Sequence, residues 1–196
     1  MSADPCAWLI RHGETAWSLT GQHTSRTDLT LTEHGRAAAH ALAPRLTGIQ
    51  FARVLTSPMR RARETCDLAG LGGQAQIDPD LIEWQYGEFE GLTPAEIHAR
   101  VPGWLVFRDG CPGGESPGQV AARADRVVAA IRAAEGPVAL FAHGHFFRVL
   151  AARWLGLPTL AGSHFLLATA TESVLGSYRG IPAIERWNVP VEEKHP

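Results

Sequence analysis

Three short apolar runs that break off at polar residues constrain this chain most. CAWLI (6–10) runs into Arg11-His12-Gly13, and VALFA (138–142) runs into His143-Gly144. ARVLT (52–56) runs into Ser57-Pro58, with Arg60 and Arg61 close behind. Runs this short and this apolar read as strands covered on both faces, not as helices. Between them lie segments with helical spacing and start signals. Thr32 caps a helix through EHGRAAAHALAPRL, where Leu42 and Leu46 share a face with Ala38, and Pro44 predicts a kink or an early end. Ser57-Pro58, Thr93-Pro94 and Ser116-Pro117 each place a capping hydroxyl before a first-turn proline. The helix after Ser116 buries Val120, Ala124, Val127, Val128 and Ile131 and stops by Gly136-Pro137; a further helix runs through FFRVLAARWLG. QAQID (74–78) reads as an edge strand, and residues 173–189 as two strands around RGIP.

Strands alternating with helices predict an α/β fold: three layers, with a mainly parallel sheet and helices on both faces. No repeat, linker or boundary interrupts it, so residues 1–196 read as a single domain. In such sheets function gathers at the carboxyl ends of the strands, where the polar breaks lie. Right-handed crossovers bring those ends to one rim, so His12, Arg61 and His143 are expected to converge.

A net charge of -2 argues against nucleic-acid or anionic-membrane partners. No apolar run approaches the roughly 18 residues of a membrane span, and MSADPCAWLIRHG lacks the pattern of a signal peptide. Three unpatterned cysteines (Cys6, Cys66, Cys111) suggest reduced thiols, hence a cytoplasmic setting. VPVEEKHP at the end reads as a frayed polar tail. Oligomeric state is not readable; a homodimer is carried as an open expectation.

Two histidines and two arginines around one point make an anion site, since guanidinium forks fit phosphate oxygens. The glycine after each histidine, Gly13 and Gly144, permits a tight turn and close backbone approach. A neutral histidine there can attack phosphorus, and the cations steady the charge on the moving phosphoryl group. The leaving alkoxide then needs a proton, and Glu83 in LIEWQYGEFEGL is the candidate, ahead of Glu88 and Glu90. Glu14 is expected to orient an arginine or histidine. Ser18, His23 and Ser25 lie in a polar loop that reads as either pocket lining or plain loop, and Tyr86 as either substrate-facing or core. His143-x-His145 admits a metal reading, but flanking arginines repel a cation and no further ligand pattern follows, so neither metal nor cofactor is expected. Nucleotide-binding glycine loops and the Cys-to-Arg spacing of cysteine phosphatases are missing.

LIRHGET, SPMRRARET, IEWQYGEFEG and FAHGH occur in one order and resemble the signature of the histidine phosphatase superfamily, the phosphoglycerate-mutase-like group. The resemblance covers nearly the whole chain. It implies a phosphoglycerate-mutase-like fold, His12 as phosphate acceptor, Arg11, Arg61 and His143 as phosphate holders, and Glu83 as proton donor. GQHTSRTDLTLTEHG, RDGCPGGES and HGHFFR further resemble sugar-phosphate phosphatases of the sedoheptulose-bisphosphatase type. That likeness implies a distal-phosphate role for Arg148, which could equally pair with an acid. The segment from Glu83 to His143 is short beside that of the mutases, which favours hydrolysis over transfer. Ser18 stands where the mutases usually carry asparagine. The expected partner is a small phosphorylated substrate; a phosphoglycerate-type mutase and a non-catalytic phospho-ligand module are the alternatives.

Overall fold

The computed structural model describes residues 5–191. In chain order the elements are β1 (Ala7–Arg11), α1 (Ala16–Thr20), α2 (Glu33–Leu46), β2 (Arg53–Thr56), α3 (Arg60–Leu68) and β3 (Ala75–Ile77). Then come α4 (Pro94–Arg100), α5 (Val106–Asp109), α6 (Pro117–Arg132), β4 (Val138–Ala142), α7 (Gly144–Trp154), β5 (Thr171–Tyr178) and β6 (Ile181–Pro190). The strands form one sheet in the order β3-β2-β4-β1-β5-β6. The four strands from β3 to β1 pair in parallel, and β5 and β6 add on antiparallel.

Side chains alternate along each strand, so successive residues enter opposite cores. Leu9, Leu55, Leu140 and Ala142 face a core with α6 and α7, while Ile10, Val54, Ala139 and Phe141 face one with α2 and α3. Both faces are therefore covered, as the unbroken apolar runs predict. Burying each of Leu9, Ile10, Leu140 and Phe141 contributes about 1.5–3 kcal/mol. A slip of one residue would exchange both cores, so the register is strongly specified. That register aligns the strand ends. Arg11 pairs with Ala142 and Thr56 with Phe141. The ladder runs one residue further on each side: His12 N donates to the Ala142 carbonyl at 3.0 Å and Ser57 N to the Phe141 carbonyl at 2.9 Å.

Thr32, Thr93 and Ser116 cap their helices as expected, the last two through capping boxes completed by Glu96 and Gln119. Three details differ. Pro44 does not end α2, which runs on to Leu46; in the last turn its missing N–H removes only one bond. Ala39, not Ala38, is the fully buried alanine with Leu42 and Leu46. Ser57 does not cap α3, which starts at Arg60 after Met59, so its hydroxyl is left for another partner. The strands around RGIP form β5 and β6, with Val189 and Pro190 still in β6; residues 192–196 of the proposed tail lie outside the described residues, as do residues 1–4. Among the described residues no helix is long and apolar enough to cross a membrane.

Gly13 and Gly35 let the loop after β1 meet the first turn of α2. A Cβ on Gly13 would lie 2.5 Å from the Gly35 carbonyl oxygen, and one on Gly35 would collide with the Glu14 backbone. Gly13 N also donates to Thr65 Oγ1 of α3 at 3.0 Å, which pins the loop beneath His12. We expect Gly13→Ala to lose about 1–3 kcal/mol from this overpacking. Urea unfolding would read it as a lower midpoint; an unchanged midpoint would show that the contact relaxes freely.

Candidate active site

The rim built by β1, β4 and β2 carries the predicted cluster. His12 is 5% exposed, and its ring lies 5.2 Å from that of His143. Its Nδ1 lies 2.8 Å from the Gly13 carbonyl. A carbonyl only accepts, so Nδ1 carries the proton and Nε2 keeps its lone pair. Burial, then the charges of Arg61 and Arg11, hold His12 well below the ordinary histidine value, so it is neutral. Arg11 lies against the start of α7: a Cβ on Gly144 would be 3.2 Å from its Cζ. Gly144 is thus the flat seat of that guanidinium. Arg11 donates from Nη1 to the Leu167 carbonyl, while its buried Nε has no hydrogen-bond partner among the described residues.

His143 and Arg61 form a layer beneath, both fully buried. Arg61 Nε donates to His143 Nδ1 at 3.2 Å, which leaves the imidazole proton on Nε2, 2.8 Å from Ser57 Oγ. This is the partner that the uncapped helix leaves to Ser57. Burial and then the Arg61 charge push His143 well below the usual histidine range. The remaining Arg61 bonds go to the carbonyls of Thr24, Ser25 and Thr27 at 3.0–3.1 Å. The same loop is held from the other side by Glu90, which accepts from Ser25 N and Thr27 N.

Glu83 stands over the N-terminus of α7. Oε1 accepts from Trp84 N at 2.9 Å and Phe146 N at 2.8 Å, and Oε2 from His145 N at 3.0 Å. The helix has no side-chain cap of its own, so Glu83 satisfies its first-turn donors from a distant loop. That loop is clamped by Arg123, which binds Glu115 in a bidentate pair at 2.8 Å and reaches the carbonyls of Asp80 and Ile82. Glu115 also accepts from Gln85 N, and its backbone carbonyl from Trp84 Nε1.

A cavity of about 370 Å³ opens on these groups. Arg11, His12, Ser18, His23, Glu83, Tyr86, Gly144 and Arg148 line it, together with Trp104, Phe107 and His145. Ser25 does not line it: the residue is fully buried, and its hydroxyl points to the Glu83 carbonyl at 3.4 Å. Ser18 is on the wall, but its hydroxyl bonds Thr15 N and O within the capping box of α1. Arg148 pairs with no acid among the described residues. It lies 4.5 Å over the Phe107 ring and donates to the carbonyls of Gly162 and Ser163. Glu14 meets Thr32 at 2.7 Å instead of an arginine or histidine. Sequence reasoning missed the Arg123–Glu115 clamp and the cavity place of His145, although the latter was visible two positions after His143. Among the described residues no group of three or more His, Cys, Asp or Glu could hold a metal ion.

Residues 7–190 match the family model of the histidine phosphatase superfamily, branch 1. An acid phosphatase of Mycobacterium tuberculosis is 44% identical over 178 residues, covering 88% of this chain and 87% of the relative. Sedoheptulose 1,7-bisphosphatase of Saccharomyces cerevisiae is 34% identical over 188 residues, covering 80% and 69%. A solved structure of an open-reading-frame product of Mycobacterium tuberculosis superposes with a TM-score of 0.91 at 39% identity, covering 95% of this chain and 98% of that one.

Two predictions follow from this geometry. A histidine whose folded value lies below its unfolded value stays neutral as pH falls through about 6.5. The acid limb of kcat/KM should therefore fall below pH 6.5, and the histidines' contribution to stability, complete above that pH, should decline beneath it. A pH–rate profile with its acid midpoint at or above about 6.5 would contradict the neutral His12. Arg123→Leu leaves Glu115 buried without its partner and should cost about 3–5 kcal/mol, with activity falling as the Glu83 loop loosens. Adding Glu115→Leu should restore much of the stability in a denaturation curve; no recovery would mean that the ion pair is not the source of the loss.

Proposed function

Because the chain belongs to the histidine phosphatase superfamily, branch 1, and is a phosphatase, we propose that it hydrolyses small phosphomonoesters through a phosphohistidine on His12. One observation carries this reading: a neutral imidazole with Nδ1 tied to the Gly13 carbonyl shares a cavity wall with Arg11 and the Glu83 carboxyl. The tie presents Nε2 as the attacking atom.

His12 Nε2 attacks phosphorus in line as the ester P–O bond breaks, and Glu83 gives its proton to the leaving alkoxide. Water then gives a proton back to Glu83 and attacks phosphorus. The N–P bond breaks, and inorganic phosphate leaves. Arg11, with its unpartnered Nε, is the nearest clamp for the phosphoryl oxygens. Arg61 and His143 add charge and a rigid floor. Arg61 spends most of its donors on the 24–27 loop, so its part is to hold that loop against the phosphate as much as to bind it. No step draws on a metal, and turnover should be indifferent to a chelator.

The names of the relatives favour a phosphorylated sugar or similar small metabolite as substrate. His23, Tyr86 and Arg148 line the same cavity as His12 and Glu83, which supports a place for them beside the leaving group. Three unpaired cysteines support a reducing compartment such as the cytoplasm.

His12→Ala should abolish release of phosphate from an aryl phosphate and from a sugar phosphate alike. Quenching wild type during turnover should trap an acid-labile phosphoenzyme that the variant lacks. Glu83→Gln should lower kcat about 10²–10⁴-fold on an alkyl phosphate, and less on an aryl phosphate, whose leaving group needs no proton. Turnover by His12→Ala at the wild-type rate would end the proposal, and equal losses on both esters would remove Glu83 as the acid.

A further inference from the structure

The cavity lining also carries two imidazoles with no part in the chemistry above. The rings of His23 and His145 stack with centroids 5.7 Å apart and an interplanar angle of 18°. Each is tied back to the protein through Nδ1, but the ties are opposite in polarity. His23 Nδ1 lies 3.0 Å from the Leu92 carbonyl, which only accepts. The proton is therefore on Nδ1, and Nε2 of His23 is an acceptor. His145 Nδ1 lies 2.6 Å from the Tyr86 hydroxyl. That hydroxyl is buried and makes no other hydrogen bond among the described residues, so it donates its single proton to Nδ1. Nε2 of His145 is then a donor. Neither Nε2 has a hydrogen-bond partner among the described residues. Burial keeps both rings neutral, reinforced at His145 by the Arg148 charge, and keeps Tyr86 protonated.

We propose that His23 and His145, with Tyr86 fixing the tautomer, form a matched acceptor–donor pair that selects leaving groups bearing a hydroxyl near the ester carbon. The inference rests on the phosphatase reading and names the substrate class within it: a phosphorylated polyol or sugar. A hydroxyl both donates and accepts, so one hydroxyl, or two on neighbouring carbons, spans the pair and satisfies both nitrogens. A carboxylate or second phosphate only accepts and would face the lone pair of His23. An alkyl group would leave both nitrogens without partners. A site built to bond a hydroxyl rejects the analogue that lacks it far more strongly than an apolar pocket does. Trp104 and Phe107 pack edge-on against His23 and His145 respectively, at 5.5 and 5.2 Å, which holds the rings in place.

The test compares kcat/KM for glycerol 1-phosphate and n-propyl phosphate, which differ only in the hydroxyls. Wild type should prefer the glycerol ester by roughly tenfold or more. His145→Phe and His23→Phe should bring the ratio close to one, His145→Gln should restore part of it by returning a donor, and Tyr86→Phe should lower it by freeing the tautomer. A wild-type ratio near one overturns the proposal. So do Phe variants that slow both esters equally and keep the ratio. Should the Phe variants fail to fold, the ratios of Tyr86→Phe and His145→Gln decide: unchanged in both, the proposal falls. The two readings fail separately. Turnover that survives His12→Ala removes the phosphohistidine reading, while a flat ratio in an enzyme silenced by His12→Ala removes only the hydroxyl pair.

Discussion

The carboxylate of Glu83 on the first turn of α7 is the contact on which the site's geometry rests. A helix start leaves backbone donors without partners, and a local Ser, Thr, Asp or Asn usually meets them. Here the residue at the cap position is His143, whose ring is engaged with Arg61 and Ser57 instead. The cap comes from a loop more than fifty residues earlier in the chain. One interaction thus fixes the Glu83 carboxylate beside the rim, docks the 82–86 loop on β4–α7, and leaves the His143 ring to the buried layer beneath the cavity. A local cap at position 143 would satisfy the helix but leave the Glu83 carboxylate without an anchor.

Around that contact the charges are arranged in two tiers. The upper tier, Arg11 with His12 and Glu83, borders the cavity. The lower tier, Arg61 with His143 and Ser57, is sealed from solvent. The lower arginine bonds neutral carbonyls and an imidazole, and its charge is felt by His12. Burial and this charge act in the same direction, and the histidine stays a free base where a carboxylate partner would have favoured the imidazolium. The buried bidentate ion pair of Arg123 with Glu115 stiffens the loop that carries Glu83.

The strands, the capped helices and the polar strand ends at His12, Arg61 and His143 were legible because each is a local signal: an apolar run, a hydroxyl before a proline, a His-Gly break. What local pattern could not give was the choice between competing partners. Ser57 has the cap signature, yet the helix begins two residues later and the hydroxyl bonds His143. Ser25 has the polarity of a pocket residue, but Arg61 and Glu90 draw its backbone inward. Arg148 and Glu14 were legible as polar groups near the site, while their partners, a phenyl face with two carbonyls and a threonine, depend on tertiary packing. The Arg123–Glu115 clamp was invisible because its meaning lies in the loop it grips.

The meeting of Gly13 with Gly35 bears on how such a chain can vary over generations. Each position excludes a side chain because of backbone that the other segment supplies. Changing one alone does not open the space it would need, since the obstruction is main chain and cannot be swapped for a smaller residue. The two sites are therefore locked against stepwise drift. A lineage could relax either one only by first moving the whole start of α2 away from the loop that carries His12, and that displacement would disturb the His12 ring before it gained any freedom.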